Sequence, residues 1–160
     1  MSIRSLVPLS LVLVTLAACG GERAPAGGDA TPPAGGAPPA AQLTPFQQEH
    51  GIGPVTEVVT LGAFDHELAE DGKELFATKC SACHKVGERY VGPDLAGVLE
   101  RRTPTYVLNM ILNPQEMYEK HPVAKGLLAE YLSYMPNQQL TQEQARAVVE
   151  YLRPEGQKVD

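Results

Sequence analysis

Cys80 and Cys83 stand in the run Cys80-Ser81-Ala82-Cys83-His84, a C-x-x-C-H pattern. That spacing suits covalent attachment of a c-type haem. Two thiols about one helical turn apart face one porphyrin edge, and each forms a thioether with a vinyl group. The histidine that follows at once can offer its imidazole nitrogen to the iron.

Two other chemistries use C-x-x-C. A structural zinc site normally needs four Cys or His ligands. The chain's third cysteine is Cys19, far from the pair, and His50, His66 and His121 show no paired ligand spacing. A thioredoxin-type dithiol calls for a βαβ context, whereas the flanking sequence here has helical character.

The N-terminus indicates where such a haem is attached. Met1 to Ala18 has one basic residue, Arg4, and an apolar core from Leu6 to Leu16. This is the layout of an export signal, and it is well short of the roughly 20 residues that span a bilayer. It ends in Leu16-Ala17-Ala18-Cys19, which resembles a bacterial lipobox. That resemblance implies cleavage before Cys19 and a diacylglyceryl group on its thiol. The alternative is an ordinary signal with a stray cysteine, which would leave a thiol unexplained in an oxidising compartment. Gly20 follows Cys19 in place of the aspartate associated with inner-membrane retention, which points to the periplasmic face of the outer membrane.

Five segments are expected: a signal over 1–18, a lipidated tether over 19–45, an extension over 46–64, a haem domain over 65–153 and a tail over 154–160. The tether is nearly all Gly, Ala and Pro between residues 20 and 41. Such a composition offers too little apolar surface to offset the entropy of ordering it. Its reach is about 25 Å as a coil and nearly 70 Å as polyproline II. In the extension, Gly51-Ile52-Gly53-Pro54 signals a turn and Val55 to Leu61 is rich in β-branched residues. Two readings stand for it: an extended strap packed on its own domain, or a segment that orders on docking. The formal charge is −6, and loss of Arg4 with the signal takes it to −7. That opposes a nucleic-acid partner, which calls for a basic patch.

The haem domain must position its motif with helices. One is expected from the N-cap Asp65 toward Cys80, with Leu68, Leu75, Phe76 and Gly72 toward one face. A second starts at Thr103-Pro104 and shows Val107, Leu108, Ile111 and Leu112 before Pro114. A third follows Pro122 with Leu127, Leu128, Tyr131 and Leu132. The last begins at Thr141 with a capping box to Gln144 and presents Ala145, Val148, Val149 and Leu152. A short helix after Pro114 is also open, and no strand pattern of useful length occurs in the domain.

On these residues the stretch 65–153 resembles the class I mono-haem cytochromes c. The likeness rests on Gly72, Phe76, Cys80 to His84, Gly92-Pro93-x-Leu95, Met135-Pro136 and the terminal helix to Tyr151. It implies an all-α fold of four to five helices around one haem c. It implies a close crossing of first and last helices at Gly72, with Tyr151 or Leu152 as its partner. It also implies that the carbonyl of Pro93 orients the His84 ring.

The sixth iron ligand is expected to be Met135, which precedes a proline and lies between the last two helices, where the family places its methionine. Met117, Met110 and His121 remain candidates. With His84 and Met135 bound, the iron has no vacant position, and the expected role is single-electron transfer between transient redox partners by a monomer. A haem enzyme or gas sensor with a labile sixth site is the alternative, as is a fixed electron-entry module of a reductase complex. Lys79, Lys85, Arg89, Arg101 and Arg102 either form a basic docking rim or serve the haem propionates and solvent. Ile111-Leu112-Asn113-Pro114 with Met135-Pro136-Asn137-Gln138 is similar to small lipoprotein cytochromes linked to nitrous-oxide respiration.

Overall fold

A computed structural model describes residues 42–154. The expected signal, Cys19 and nearly all of the expected tether lie outside these residues, as does the tail beyond 154. The described chain contains helices α1 (Pro45–His50), α2 (His66–Lys79), α3 (Val98–Arg101), α4 (Pro104–Leu112), α5 (Pro114–Lys120), α6 (Pro122–Tyr131) and α7 (Gln142–Tyr151). No strand occurs among the described residues, and no helix there is long and apolar enough to cross a membrane.

The helix starts follow from capping chemistry. Asp65 accepts from the Leu68 N–H at 3.1 Å, and Thr103 accepts from Tyr106 N at 3.1 Å. Thr141 and Gln144 form a reciprocal capping box. The four periodic segments and the short helix after Pro114 are α2, α4, α6, α7 and α5. The single-turn α3 and the six-residue α1 raise the helix number above the expected four to five. Both are too short to register as an apolar period. Thr44 and Gln47 make a second capping box at α1.

The terminal helices α2 and α7 cross at Gly72. A Cβ there would run into the carbonyl oxygen of Ala147 and lie 3.0 Å from Tyr151 Cβ. The closest partner of Gly72 is thus the Ala147 backbone, with Tyr151 beside it; Leu152 points into the core instead. Phe76 and Tyr151 continue the contact with ring centroids 5.3 Å apart. The main core joins Phe76 of α2, Val107, Leu108 and Ile111 of α4, Ala145, Val148 and Val149 of α7, and Leu152 just after it. Each fully buried aliphatic side chain contributes about 1.5–3 kcal/mol.

The segment between α1 and α2 belongs to this core. Val55 is buried in the main cluster, and Ile52 joins Tyr106, Met117, Tyr118 and Ala124 in a second one. Its backbone bonds to a polar stripe on α4. Asn109 accepts from Val55 N at 3.0 Å and donates to the carbonyls of His50 and Val55, both at 3.0 Å. Val59 N donates to Thr105 Oγ1 at 2.8 Å. Ile52 N donates to Met117 Sδ at 3.1 Å. Gly53 has no Cβ because Asn109 Oδ1 occupies that space.

Candidate haem site

The motif sits where α2 ends. Cys80 caps the helix through Cys80 N to Phe76 O at 2.9 Å, and His84 N donates to Cys80 O at 2.9 Å. This extra turn sets Cys80, Cys83 and His84 on the wall of one apolar cleft, which Pro93, Met110 and Met135 also line. No disulfide joins the two cysteines. Burial, and next the neighbouring Cys83, push the Cys80 thiol up to about 11. A redox dithiol needs the opposite shift, since the thiolate is the nucleophile. A zinc site also lacks support, because no group of three or more His, Cys, Asp or Glu side chains converges among the described residues.

His84 is held from two sides. Its Nδ1 lies 3.1 Å from the Pro93 carbonyl oxygen. A carbonyl only accepts, so Nδ1 carries the proton and Nε2 keeps its lone pair. On the other side Gly92 leaves room for the ring, since a Cβ there would lie 2.5 Å from His84 Cε1. The Gly92 N–H donates to Cys83 O at 2.8 Å and closes the loop onto the motif. Asp94 braces the same loop by accepting from Gly87 N at 2.7 Å and Ala96 N at 2.8 Å. The Ala96 bond is the main cause that holds the Asp94 carboxyl below its usual range, with Gly87 and Arg101 adding to it against desolvation.

The four candidates for the sixth position separate by their surroundings. Met117 is fully buried and points its sulfur at Ile52 N. His121 is 1% exposed, with Nε2 3.1 Å from the Gln48 carbonyl oxygen and Nδ1 accepting from Val123 N at 3.3 Å. Neither lines the cleft. Met110 and Met135 both do. Met110 is fixed within α4, whereas Met135 lies in the non-helical stretch before α7 and packs against both core clusters. Met135 N donates to the Tyr118 hydroxyl at 3.1 Å. Leu132 does not share the buried face expected of it; it ends α6 in the left-handed region and is 86% exposed.

Residues of the expected rim are tied down locally. Arg89 pairs with Glu130 at 2.7 Å and stacks on Tyr131, 4.2 Å from the ring centroid. Arg101 donates to the carbonyls of Ala96 and Asp94. Lys85 lies over Tyr90. Lys79, Arg101 and Arg102 border the cleft itself. Tyr106 lines it too, with its hydroxyl buried and the Arg102 guanidinium beside it. A haem fits these residues: an apolar cleft for the ring, paired thiols for its vinyl edge, and a phenol beside arginines for its carboxylates. Tyr106, Tyr118 and Asn109 belong to no motif in the sequence. The polar residues Thr105, Asn109 and Asn113 at every fourth position of an apolar helix were the available signal.

An all-helical fold closed by an α2–α7 crossing, with a C-x-x-C-H turn on an apolar cleft, defines a class I c-type haem protein. The chain belongs to the cytochrome c family, whose pattern matches residues 69–154. It binds one haem c covalently through the Cys80–Cys83 pair. A cytochrome c from Rhodothermus marinus is 45% identical with a TM-score of 0.65, covering 71% of this chain and 98% of that one. The cytochrome c-553-like protein of Synechocystis is 29% identical over 40% of this chain and 66% of its own length. Photosystem II extrinsic protein V of a Synechococcus strain is 36% identical over 57% of this chain and 49% of its own. The chain thus spans just under two thirds and about half of these two relatives.

Proposed function

We propose that this cytochrome c is a lipid-anchored, single-electron carrier of the cell envelope, with His84 and Met135 as the axial ligands of its iron. The haem supplies one-electron Fe(III)/Fe(II) cycling when bound. The carrying observation is that Cys80, Cys83, His84 and Pro93 line one cleft with Met135, which is remote from them in sequence. Pro93 fixes the His84 ring so that Nε2 stays available. A methionine thioether at Met135 favours the reduced iron and raises the potential relative to a second imidazole. The apolar walls limit water and keep reorganisation small. Cys19 carries lipid, the segment to residue 45 acts as tether, and the domain meets donor and acceptor in weak encounters burying less than about 1,200 Å².

The oxidised absorption spectrum tests the ligand assignment. A weak band near the red end of the visible is expected and should vanish in Met135→Ala. Rapid carbon monoxide binding by the reduced native protein would instead establish an open sixth site and the enzyme or sensor reading.

A second reading has one observation in its favour. A relative is named as an extrinsic protein of photosystem II. On that reading this chain is the fixed electron-entry module of a reductase, and the motifs around Asn113 and Met135 make nitrous-oxide reduction the proposed destination. Crosslinking in native membranes decides: one stoichiometric partner supports the module, and several partners support the shuttle.

A further inference from the structure

We propose that Tyr118 is the positioning residue of Met135, tying the loop that carries the axial sulfur to α5. This rests on the reading of Met135 as the sixth ligand. The stretch between α6 and α7 has no helical ladder to hold it. Pro136 has no N–H to contribute. Two side chains attach the stretch to the rest of the fold. Asn137 Nδ2 donates to Leu112 O at 2.9 Å, and the Met135 N–H donates to the Tyr118 hydroxyl at 3.1 Å across 17 residues. Only the second acts on the ligand residue itself.

Tyr118 is well placed for this because α5 is anchored by several contacts. Pro114 opens the helix and Asn113, bonded to Glu116 at 2.7 Å, precedes it. Met117, the residue before Tyr118, is fully buried and bonded to the Ile52 backbone. Tyr118 itself is 9% exposed, and Tyr134 meets its ring edge-on at 5.7 Å. The phenol is thus an anchored acceptor for a donor on a non-helical stretch. An axial ligand competes with outside ligands, and the entropy of ordering its loop counts against it. A backbone already held near its bound position removes part of that cost. Tyr118 also lines the cleft, and the bond from the Met135 N–H to its hydroxyl is what makes it a positioning residue.

The experiment uses the full-length haem-loaded protein and its Tyr118→Phe variant, which keeps the ring. Two quantities are read: hydrogen exchange at the Met135 amide, and the affinity of the oxidised protein for added imidazole, followed by loss of the red band. Removing one hydrogen bond should speed Met135 exchange about fivefold to tenfold and tighten imidazole binding by the same factor. Exchange at the Leu152 amide, bonded to Val148 within the core, should stay unchanged. A purely structural tyrosine would alter unfolding without moving imidazole affinity. Equal affinity in the two proteins, or an unprotected Met135 amide in the unsubstituted protein, overturns the proposal; the second result stands even if the variant fails to fold. Failure of the ligand assignment looks different. The red band would then persist in Met135→Ala while Tyr118→Phe still frees the Met135 amide, and the proposal falls with the assignment although the hydrogen bond is real.

Discussion

Gly92 and Asp94 show how the residues beside the His84 ring work. Gly92 is required for space, since any Cβ would press on Cε1 and Nδ1 of His84. Gly92→Ala should tilt the ring away from the Pro93 carbonyl, lower stability by about 1–3 kcal/mol and change the haem spectrum; an unchanged spectrum and midpoint would refute the contact. Asp94 acts through its charge. Its carboxyl is held below the ordinary carboxylate range by the Ala96 N–H first. The ionised form is therefore favoured by folding. Its contribution is complete above the ordinary value and disappears as pH falls through the lower folded value. Acid titration of holoprotein stability should show this loss, and Asp94→Asn should show a shallower acid limb. The paired cysteines that take the haem were legible in the sequence because their types and spacing are chemically specific. Tyr106 and Tyr118 were not, because a tyrosine becomes a partner only through what the fold places at its hydroxyl.

At the level of elements, apolar periodicity and caps sufficed for α2, α4 and α7. The polar face of α4 carries what periodicity could not: it replaces a strand partner for the segment from His50 to Val59. Asn109 is completely buried and makes three bonds to that backbone. Asn109→Ala should cost about 2–4 kcal/mol, since buried backbone groups lose their partners. Chemical denaturation would measure it, and a change under about 0.5 kcal/mol, the range of ordinary surface substitutions, would show that the segment is not held this way. Glu150 plays a similar joining role. Fully buried, it accepts from Asp65 N at 3.0 Å, Arg146 at 2.5 Å and Arg153 at 2.8 Å, linking the start of α2 to the end of α7. Charged residues in a terminal helix ordinarily read as solvent-facing, so the sequence concealed this one.

For the whole molecule, anchoring and docking are the proposed properties, and they separate cleanly. Cys19→Ser should move the protein from the membrane fraction to the soluble fraction without altering its haem spectrum, because lipid attachment supplies the membrane affinity; retention in washed membranes would reject the anchor. Covalent haem attachment and the helical class followed from the sequence alone, because both depend on local spacing: two thiols a turn apart, a histidine beside them, and apolar residues at helical intervals. Tertiary structure decided which atoms meet. It put the Ala147 carbonyl against Gly72, drew the segment before α2 into the core, turned the sulfur of Met117 toward Ile52, and left Met110 and Met135 facing the cleft. Contacts between residues dozens of positions apart depend on how helices pack, and packing is set by the shape of all side chains together rather than by any local pattern.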